Sequence, residues 1–274
     1  MNTAIETACQ MINTHGFEGL YHCLVERFIH NVPMSYTQFA NRTQRATLPL
    51  QSQDEALFYS VAYGLSHYNT FLQVLHNNLM IDDAGTVINI IDYGCGQGIA
   101  TLAMLMYIAS QQNPKNIHVN IHLIEPSAVS LGNASYKVLS FVQALGFGAN
   151  ITTQNRPLKE AVVPDFNNQA DTLHLMSYIL DIETVQEQLP NITRQIKQSS
   201  GVHHVIASSI SHPNGYQGFD ELSHLLLGRK EKFDYYYINH YSYRVIQGHY
   251  DNAVSKAIGM VISLDNTNAT SRAA

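Results

Sequence analysis

A strand-like run followed at once by three glycines at alternate positions most constrains what this chain can fold into. Residues 86–93 (TVINIIDY) are apolar and β-branched, which is typical of a buried strand. Gly94, Gly96 and Gly98 follow, and a helical pattern then covers residues 99–110. Glycines at these positions allow a sharp turn and bring the backbone close to a ligand. The free N–H groups at the start of the next helix can hold a carboxylate or a phosphate.

The residues after this loop predict an α/β domain, because short β-branched runs alternate with helical patterns. Further strands are expected over 118–124, 150–154, 171–176 and 203–208, and helices over 129–145 and 184–198. This order predicts a mostly parallel sheet with helices on both faces. Two strand-like runs at 235–246 and 253–264 are joined by a short turn, and they predict a C-terminal antiparallel hairpin.

The first 83 residues have a different pattern and predict an N-terminal helical cap. Ser52 and Glu55 have the spacing of a capping box, and apolar residues recur at helical spacing after them. An earlier amphipathic segment over residues 3–27 is interrupted near Gly16. We therefore expect three parts: a cap over 1–83, an α/β domain over 84–264 and a disordered tail over 265–274.

Composition limits the partners of the chain. Its 15 basic and 21 acidic residues give a net charge of −6, which disfavours nucleic acid because the usual electrostatic attraction is missing. Three cysteines without a CxxC pair predict reduced thiols and a cytoplasmic location. The sequence has neither a long apolar run nor a signal-peptide pattern, so we expect no membrane partner. The 14 histidines lack the spacing of metal ligands, so no metal is expected.

The spacing of the glycines separates two classes of ligand. A dinucleotide fingerprint reads G-x-G-x-x-G/A. Here the sixth position counted from Gly94 is Ile99, and counted from Gly96 it is Thr101, so neither fits. The loop instead reads D-x-G-x-G-x-G, with Asp92 closing the strand. This pattern resembles motif I of the class I S-adenosylmethionine-dependent methyltransferases.

Two further features support the resemblance, which covers residues 86–264. Glu125 and Pro126 end the next strand, where a carboxylate can accept two hydrogen bonds from a ribose diol. The family also closes its parallel sheet with an antiparallel hairpin, as the pattern over 235–264 predicts here. The resemblance implies a Rossmann-like fold, S-adenosyl-L-methionine as the cofactor, and methyltransferase activity.

The resemblance also implies which residues bind the cofactor. The three glycines would line its methionine part, Asp92 would help hold its amino group, and Glu125 would bind the ribose hydroxyls. The adenine would lie after the third strand, near Asn155 or Arg156. The cofactor-binding residues implied in this way are Asp92, Gly94, Cys95, Gly96, Gly98, Glu125, Pro126, Asn155 and Ser177.

Methyl transfer by itself fixes no catalytic residue. The reaction mainly needs an aligned acceptor, and it needs a base only where the acceptor must lose a proton. Ser177 and Tyr178 end the fourth strand, at the sheet edge where open α/β folds bind ligands. With His212, which follows the fifth strand, they are the expected catalytic residues. For Tyr178 a packed side chain with a bonded hydroxyl is the alternative.

Tyr59, Tyr63 and His67 lie on one edge of the capped helix, at spacings of four residues. They either line the acceptor pocket under the cap or form an aromatic seam that packs the cap onto the sheet. The sequence leaves both interpretations open.

The function expected from all this is methyl transfer to oxygen or nitrogen of a small or medium-sized acceptor. The Asn/Asp-Pro-Pro-Tyr/Phe tetrapeptide of amino-methylating nucleic-acid enzymes is absent after the fourth strand. Two alternatives stay open. The acceptor could be a peptide or protein, or the chain could be a non-catalytic cofactor-binding module whose cap forms a homodimer surface. An NAD-dependent oxidoreductase is disfavoured by the glycine spacing.

Overall fold

The structure is a computed structural model, and it describes the backbone of residues 2–31, 34–81, 87–164, 166 and 170–267. Within these ranges, side chains are described from residue 16 onward. The domain boundary expected near residue 84 and the tail residues 268–274 lie outside the described residues.

The helices are α1 (Asn2–Asn31), α2 (Tyr36–Thr43), α3 (Gln53–Asn78), α4 (Ile99–Gln111), α5 (Ala128–Leu145), α6 (Glu183–Gln186), α7 (Leu189–Gln198) and α8 (Pro213–Leu227). The strands are β1 (Val87–Tyr93), β2 (His118–Ile124), β3 (Gly148–Gln154), β4 (Thr172–Ser177), β5 (Val202–Ile210), β6 (Asp234–Arg244) and β7 (His249–Asp265). Among the described helices, none has the length and apolarity that a membrane span requires.

The seven strands form one sheet in the order β3-β2-β1-β4-β5-β7-β6. The first five pair in parallel, whereas β7 is antiparallel to both β5 and β6. The structure thus confirms a Rossmann-like α/β fold with a C-terminal antiparallel hairpin and an N-terminal helical cap. From β1 the chain adds β2 and β3 on one side of the sheet, and it then adds β4 and β5 on the other side. Such a switch point, here between β1 and β4, opens a crevice at the carboxyl ends of the strands.

Two buried clusters lie on the two faces of the sheet. Ile88 and Ile90 belong to the first cluster, and Ile91 and Tyr93 belong to the second, as the two-residue period of a strand requires. The first cluster includes side chains of α1, α3, α4 and α5, so the cap helices share a core with the sheet. Helix α3 contacts both α4 and the hairpin strands, and this packing fixes α3 over the crevice.

Helix starts follow local capping. Ser52 begins α3 and accepts a hydrogen bond from Glu55 N at 3.2 Å. The expected box is only half formed, because the Glu55 carboxylate accepts from Gln51 N instead of Ser52 N. A complete capping box, with both hydrogen bonds formed, begins α2 at Ser35 and Gln38, where none was expected.

The region after β4 differs from the prediction in two ways. The single helix expected over 184–198 is two helices, α6 and α7, because Pro190 lacks an N–H and its ring disfavours a continuous helix. Helix α8 was not expected. It has Pro213 in its first turn and ends at Gly228 with a φ of 73°, which are ordinary start and stop signals.

Candidate active site

The glycine-rich loop links β1 to α4, and all three of its glycines have a positive φ. A Cβ atom on Gly94 would lie 3.1 Å from Ile179 Cγ2, and one on Gly98 would lie 3.2 Å from Ala134 Cβ. A Cβ atom on Gly96 would meet nothing closer than 4.0 Å. Packing therefore explains Gly94 and Gly98, whereas Gly96 faces open space that a ligand can occupy.

That open space is a cavity of about 520 Å³ at the carboxyl ends of β1, β2 and β4. Its size falls within the usual range for small-molecule sites. Residues 46–50, between α2 and α3, form part of its rim, and no sequence motif indicated this. The expected site residues that line it are Asp92, Gly94, Cys95, Gly96, Glu125, Pro126, Ser177, Tyr178, Tyr59 and His67.

Five other expected residues do not line this cavity. Gly98 lies behind the loop against α5. Asn155 donates hydrogen bonds to the carbonyls of Glu125 and Pro126, so it braces the end of β2. Arg156 is exposed and donates to a nearby carbonyl, His212 is exposed before α8, and Tyr63 lines a smaller neighbouring cavity.

Asp92 is buried at the end of β1, with a relative exposure of 1%. Its Oδ2 atom accepts hydrogen bonds from Thr101 Oγ1 at 2.7 Å and Thr101 N at 3.3 Å. The pKa of Asp92 is raised to about 7, because burial and the neighbouring Glu125 carboxylate raise it by more than the two hydrogen bonds from Thr101 lower it. Asp92 therefore holds its negative charge at an energetic cost.

Glu125 lies at the end of β2, beside the glycine-rich loop. One carboxylate oxygen accepts from Gly96 N at 3.0 Å, and the other accepts from Ser127 N at 2.9 Å. Burial raises the pKa of Glu125, while these two hydrogen bonds lower it. The carboxylate thus bridges the glycine-rich loop and the start of α5.

Neither carboxylate has a cationic partner in the part of the chain that the structure describes. The ion pairs found there join Lys159 to Glu160, His204 to Asp171, Arg229 to Glu231 and Lys230 to Asp220. Two buried acids without a counter-ion favour a positively charged ligand, because such a ligand stabilises their ionised forms.

Tyr178 forms the opposite wall. It is a non-glycine residue with a φ of 57°, and its backbone N–H donates to Ser208 O at 2.7 Å. Its hydroxyl donates to Thr70 Oγ1 at 3.1 Å, and its ring stacks on His67 with centroids 3.6 Å apart. Left-handed backbone at a bulky residue is strained and concentrates at functional sites. Three contacts, one from β5 and two from α3, thus hold Tyr178 in place.

The three residues on the aromatic edge of α3 do not all face the cavity. Tyr59 and His67 line the cavity, and Tyr59 Oη lies 3.3 Å from His67 Nδ1. Tyr63 packs toward Phe39 of α2, with ring centroids 6.3 Å apart. Tyr59 and His67 therefore line the cavity, whereas Tyr63 packs on α2 within the cap.

Sequence reasoning missed two polar residues near the site, the buried Lys137 and the half-buried Asp181. Lys137 of α5 has a relative exposure of 7%, and its Nζ donates to Ser60 Oγ and Gln97 Oε1 at 3.3 and 3.2 Å. Burial lowers the pKa of Lys137 to about 7. Asp181 accepts from Ser209 Oγ at 3.3 Å, and burial raises its pKa. Nothing local marks Lys137, whose partners lie 40 and 77 positions away.

Comparisons with known proteins report similarity only to solved structures. No family model matches the chain, and no curated protein matches it. Precorrin 8W decarboxylase of Methanobacterium thermoautotrophicum is 14% identical, with 70% of this chain and 88% of that chain covered and a TM-score of 0.42.

Two other similar structures have comparable values. A protein of echinomycin biosynthesis, described as converting a disulfide bond into a thioacetal group, is 12% identical over 79% of this chain and 94% of its own, with a TM-score of 0.45. Precorrin-6y C5,15-methyltransferase of Geobacter metallireducens is 13% identical over 72% and 86%, with a TM-score of 0.39. Similarity at this level assigns no activity to the chain.

Proposed function

We propose that the chain is a class I S-adenosyl-L-methionine-dependent methyltransferase that acts on oxygen or nitrogen of a small or medium-sized acceptor. The observation that carries the proposal is the pair of buried carboxylates, Asp92 and Glu125, beside a glycine-rich loop and without a cationic partner among the described residues. A ligand with an ammonium group, a sulfonium and a ribose diol matches both acids.

The residues present fit this cofactor. Gly96 leaves open space in front of its backbone, where a side chain would project into the cavity. In the proposed complex Asp92 holds the ammonium group, Glu125 accepts from the ribose hydroxyls, and Gly94 and Gly96 lie against the methionine part. Ser177 lies at the end of β4, on the acceptor side. When bound, the cofactor supplies an electrophilic methyl group on a positively charged sulfur.

The protein's own part in such a reaction is mainly alignment. Displacement on a sulfonium needs the acceptor atom in line with the bond that breaks, and positioning of this kind supplies much of the rate. Tyr178 is held rigidly by Thr70, Ser208 and His67, so it offers a fixed surface against which an acceptor can be oriented. The cap, over the proposed range 1–83, closes one side of the cavity with Tyr59 and His67.

The form of the cavity favours a small acceptor over a peptide. Leu48, Pro49 and Leu50 of the cap loop, together with Ile179 and Ile182, line a space bounded by several different elements. A peptide substrate would need an extended groove instead. A non-catalytic module stays as the second alternative, and cofactor binding without methyl transfer would support it.

The proposal is tested by calorimetric titration with S-adenosylmethionine and S-adenosylhomocysteine. Loss of a charge-assisted hydrogen-bond acceptor typically costs about 1.5–3 kcal/mol, so Glu125→Ala should weaken both affinities by roughly 10- to 100-fold. Glu231→Ala is the matched control, because Glu231 is an exposed acid paired with Arg229, and it should bind as the native chain does. If Glu125→Ala bound both ligands with native affinity, Glu125 would not be part of the binding site.

A further inference from the structure

His67 presents one ring nitrogen to the cavity. Its Nδ1 atom lies 3.3 Å from Tyr59 Oη, and one face of its ring is covered by Tyr178. In the described part of the chain, no hydrogen bond reaches Nε2. The one buried side-chain polar atom without a partner in that part is Nδ1 of His240. Nε2 of His67 also has no partner there, but it is not a buried atom, so it is accessible from the cavity that His67 lines.

His67 stacks on Tyr178 after the end of β4, which the proposed function puts on the acceptor side. Asp92 and Glu125 are bound to the glycine-rich loop, Thr101 and Ser127, on the cofactor side. Burial lowers the pKa of His67 to about 3, so its imidazole is neutral and keeps a free lone pair throughout the range near neutral pH.

Apolar side chains line much of the cavity. They include Leu48, Pro49, Leu158, Ile179, Ile182 and Val185. Lys159 is the cation in the described lining, and its side chain is 64% exposed and paired with Glu160. The two buried acids would also repel an anion. These surroundings favour an apolar, uncharged acceptor over a phosphate or a carboxylate.

On the basis of the proposed methyltransferase function, we infer that His67 is the general base for an acceptor hydroxyl on an uncharged apolar skeleton, a phenol being the substrate class. The hydroxyl donates to Nε2 of His67, and Nδ1–H of His67 donates to Tyr59 Oη. The oxygen lone pair forms the new O–CH₃ bond while the S–CH₃ bond breaks and its electron pair stays on sulfur. The hydroxyl proton passes to Nε2, and the imidazolium then returns it to water.

A weak base suffices for this step. A hydroxyl oxygen that has gained a methyl group while keeping its proton is a far stronger acid than an imidazolium, so the proton moves downhill to His67. The base is needed during bond formation, when the acidity of the acceptor rises. Tyr59 acts through His67, because its hydroxyl keeps the ring in one orientation and stabilises Nδ1–H.

The test uses three neutral phenols, namely phenol, 4-methylphenol and 2-naphthol, with phenyl phosphate and benzoate as charged counterparts. With S-adenosylmethionine labelled in the methyl group, the native chain should form methyl ethers from the phenols and no product from the anions. His67→Gln and His67→Phe should lower turnover by about 10²- to 10⁴-fold. Phe preserves a flat ring against Tyr178, so at least one of these variants should keep the fold.

Two readouts are independent of turnover. Both His67 variants should bind S-adenosylhomocysteine within about twofold of the native chain. In ¹⁵N-labelled protein, Nε2 of His67 should be the unprotonated nitrogen, and its resonance should shift when 2-naphthol is added with S-adenosylhomocysteine. His76→Gln, an exposed histidine on the same helix, is the matched control and should retain native turnover.

The outcomes separate the two proposals. Failure of the native chain to bind S-adenosylmethionine removes the proposed function and this inference with it. Binding without methylation of any of the phenols overturns the inference alone. Native turnover in either folded His67 variant, or an Nε2-protonated ring, also overturns it.

Discussion

The ionisation of Asp92 links cofactor affinity to pH. Burial raises the pKa of Asp92 from an ordinary value of 3.8 to about 7, and the proposed ligand group on Asp92 is an ammonium, which requires the ionised form. Below pH 7 the carboxyl must lose a proton before it can bind. We therefore expect the dissociation constant of S-adenosylhomocysteine to rise about eightfold between pH 7.5 and pH 6.0.

The same ionisation should destabilise the free protein. Because folding raises the pKa of Asp92, ionising this carboxyl costs more in the folded chain than in the unfolded chain. The folded chain has its full stability below pH 3.8 and loses part of it as the pH rises through about 7. The largest cost is on the order of 4 kcal/mol for a shift of this size at a residue that is 1% exposed. Asp92→Asn keeps an acceptor for Thr101, so it should melt at a higher temperature than the native chain at pH 8, and this difference should be clearly smaller at pH 5.

The assay is calorimetry at both pH values, in buffers with different ionisation enthalpies, combined with thermal melts. The native chain should release close to one proton on binding at pH 6.0, and Asp92→Asn should bind more weakly and lose most of the pH dependence. A native affinity that does not change between the two pH values would refute this reasoning. An unchanged slope in Asp92→Asn would assign the titration to another group.

Three further predictions concern packing around the site. Gly98→Ala should lower the free energy of unfolding in urea by about 1–3 kcal/mol, because φ is +77° and the new Cβ atom would lie too close to Ala134. Gly132→Ala is the control, because Gly132 lies on a helix with open space around it, and this change should be neutral or stabilising. Lys137→Met should raise the melting temperature more at pH 6 than at pH 10, since the buried ammonium costs more as the pH falls toward 7; equal shifts would contradict this. Tyr178→Phe should cost about 1 kcal/mol in thermal melts, through the lost bond to Thr70, and a larger loss would indicate that the hydroxyl does more than anchor the ring.

The parts of the fold with a local signal could be predicted from the sequence. The glycine-rich loop, Glu125 at the end of β2 and the terminal hairpin each depend on residues that are close in the chain. Ser52 predicted the start of α3 for the same reason. Helix α8 also carries local signals, with Pro213 in its first turn and Gly228 at its end, so it too is predictable from the sequence.

The acceptor wall could not be predicted, because long-range packing makes it. His67 meets Tyr178 across 111 positions of the chain, and Tyr178 combines a left-handed backbone with hydrogen bonds to Ser208 and Thr70. No spacing rule brings α3 to the end of β4. Asp92 and Glu125 could be predicted to lie together, because parallel strands bring their carboxyl ends to one edge of the sheet.

The most direct test of the account is a calorimetric titration that compares S-adenosylhomocysteine with NAD on the native chain. We expect saturable binding of one S-adenosylhomocysteine per chain, displaced by S-adenosylmethionine, and no binding of NAD, because Asp92, Glu125 and the D-x-G-x-G-x-G loop suit a cationic amino-acid nucleoside. Binding of NAD in the absence of any heat from S-adenosylhomocysteine would contradict it.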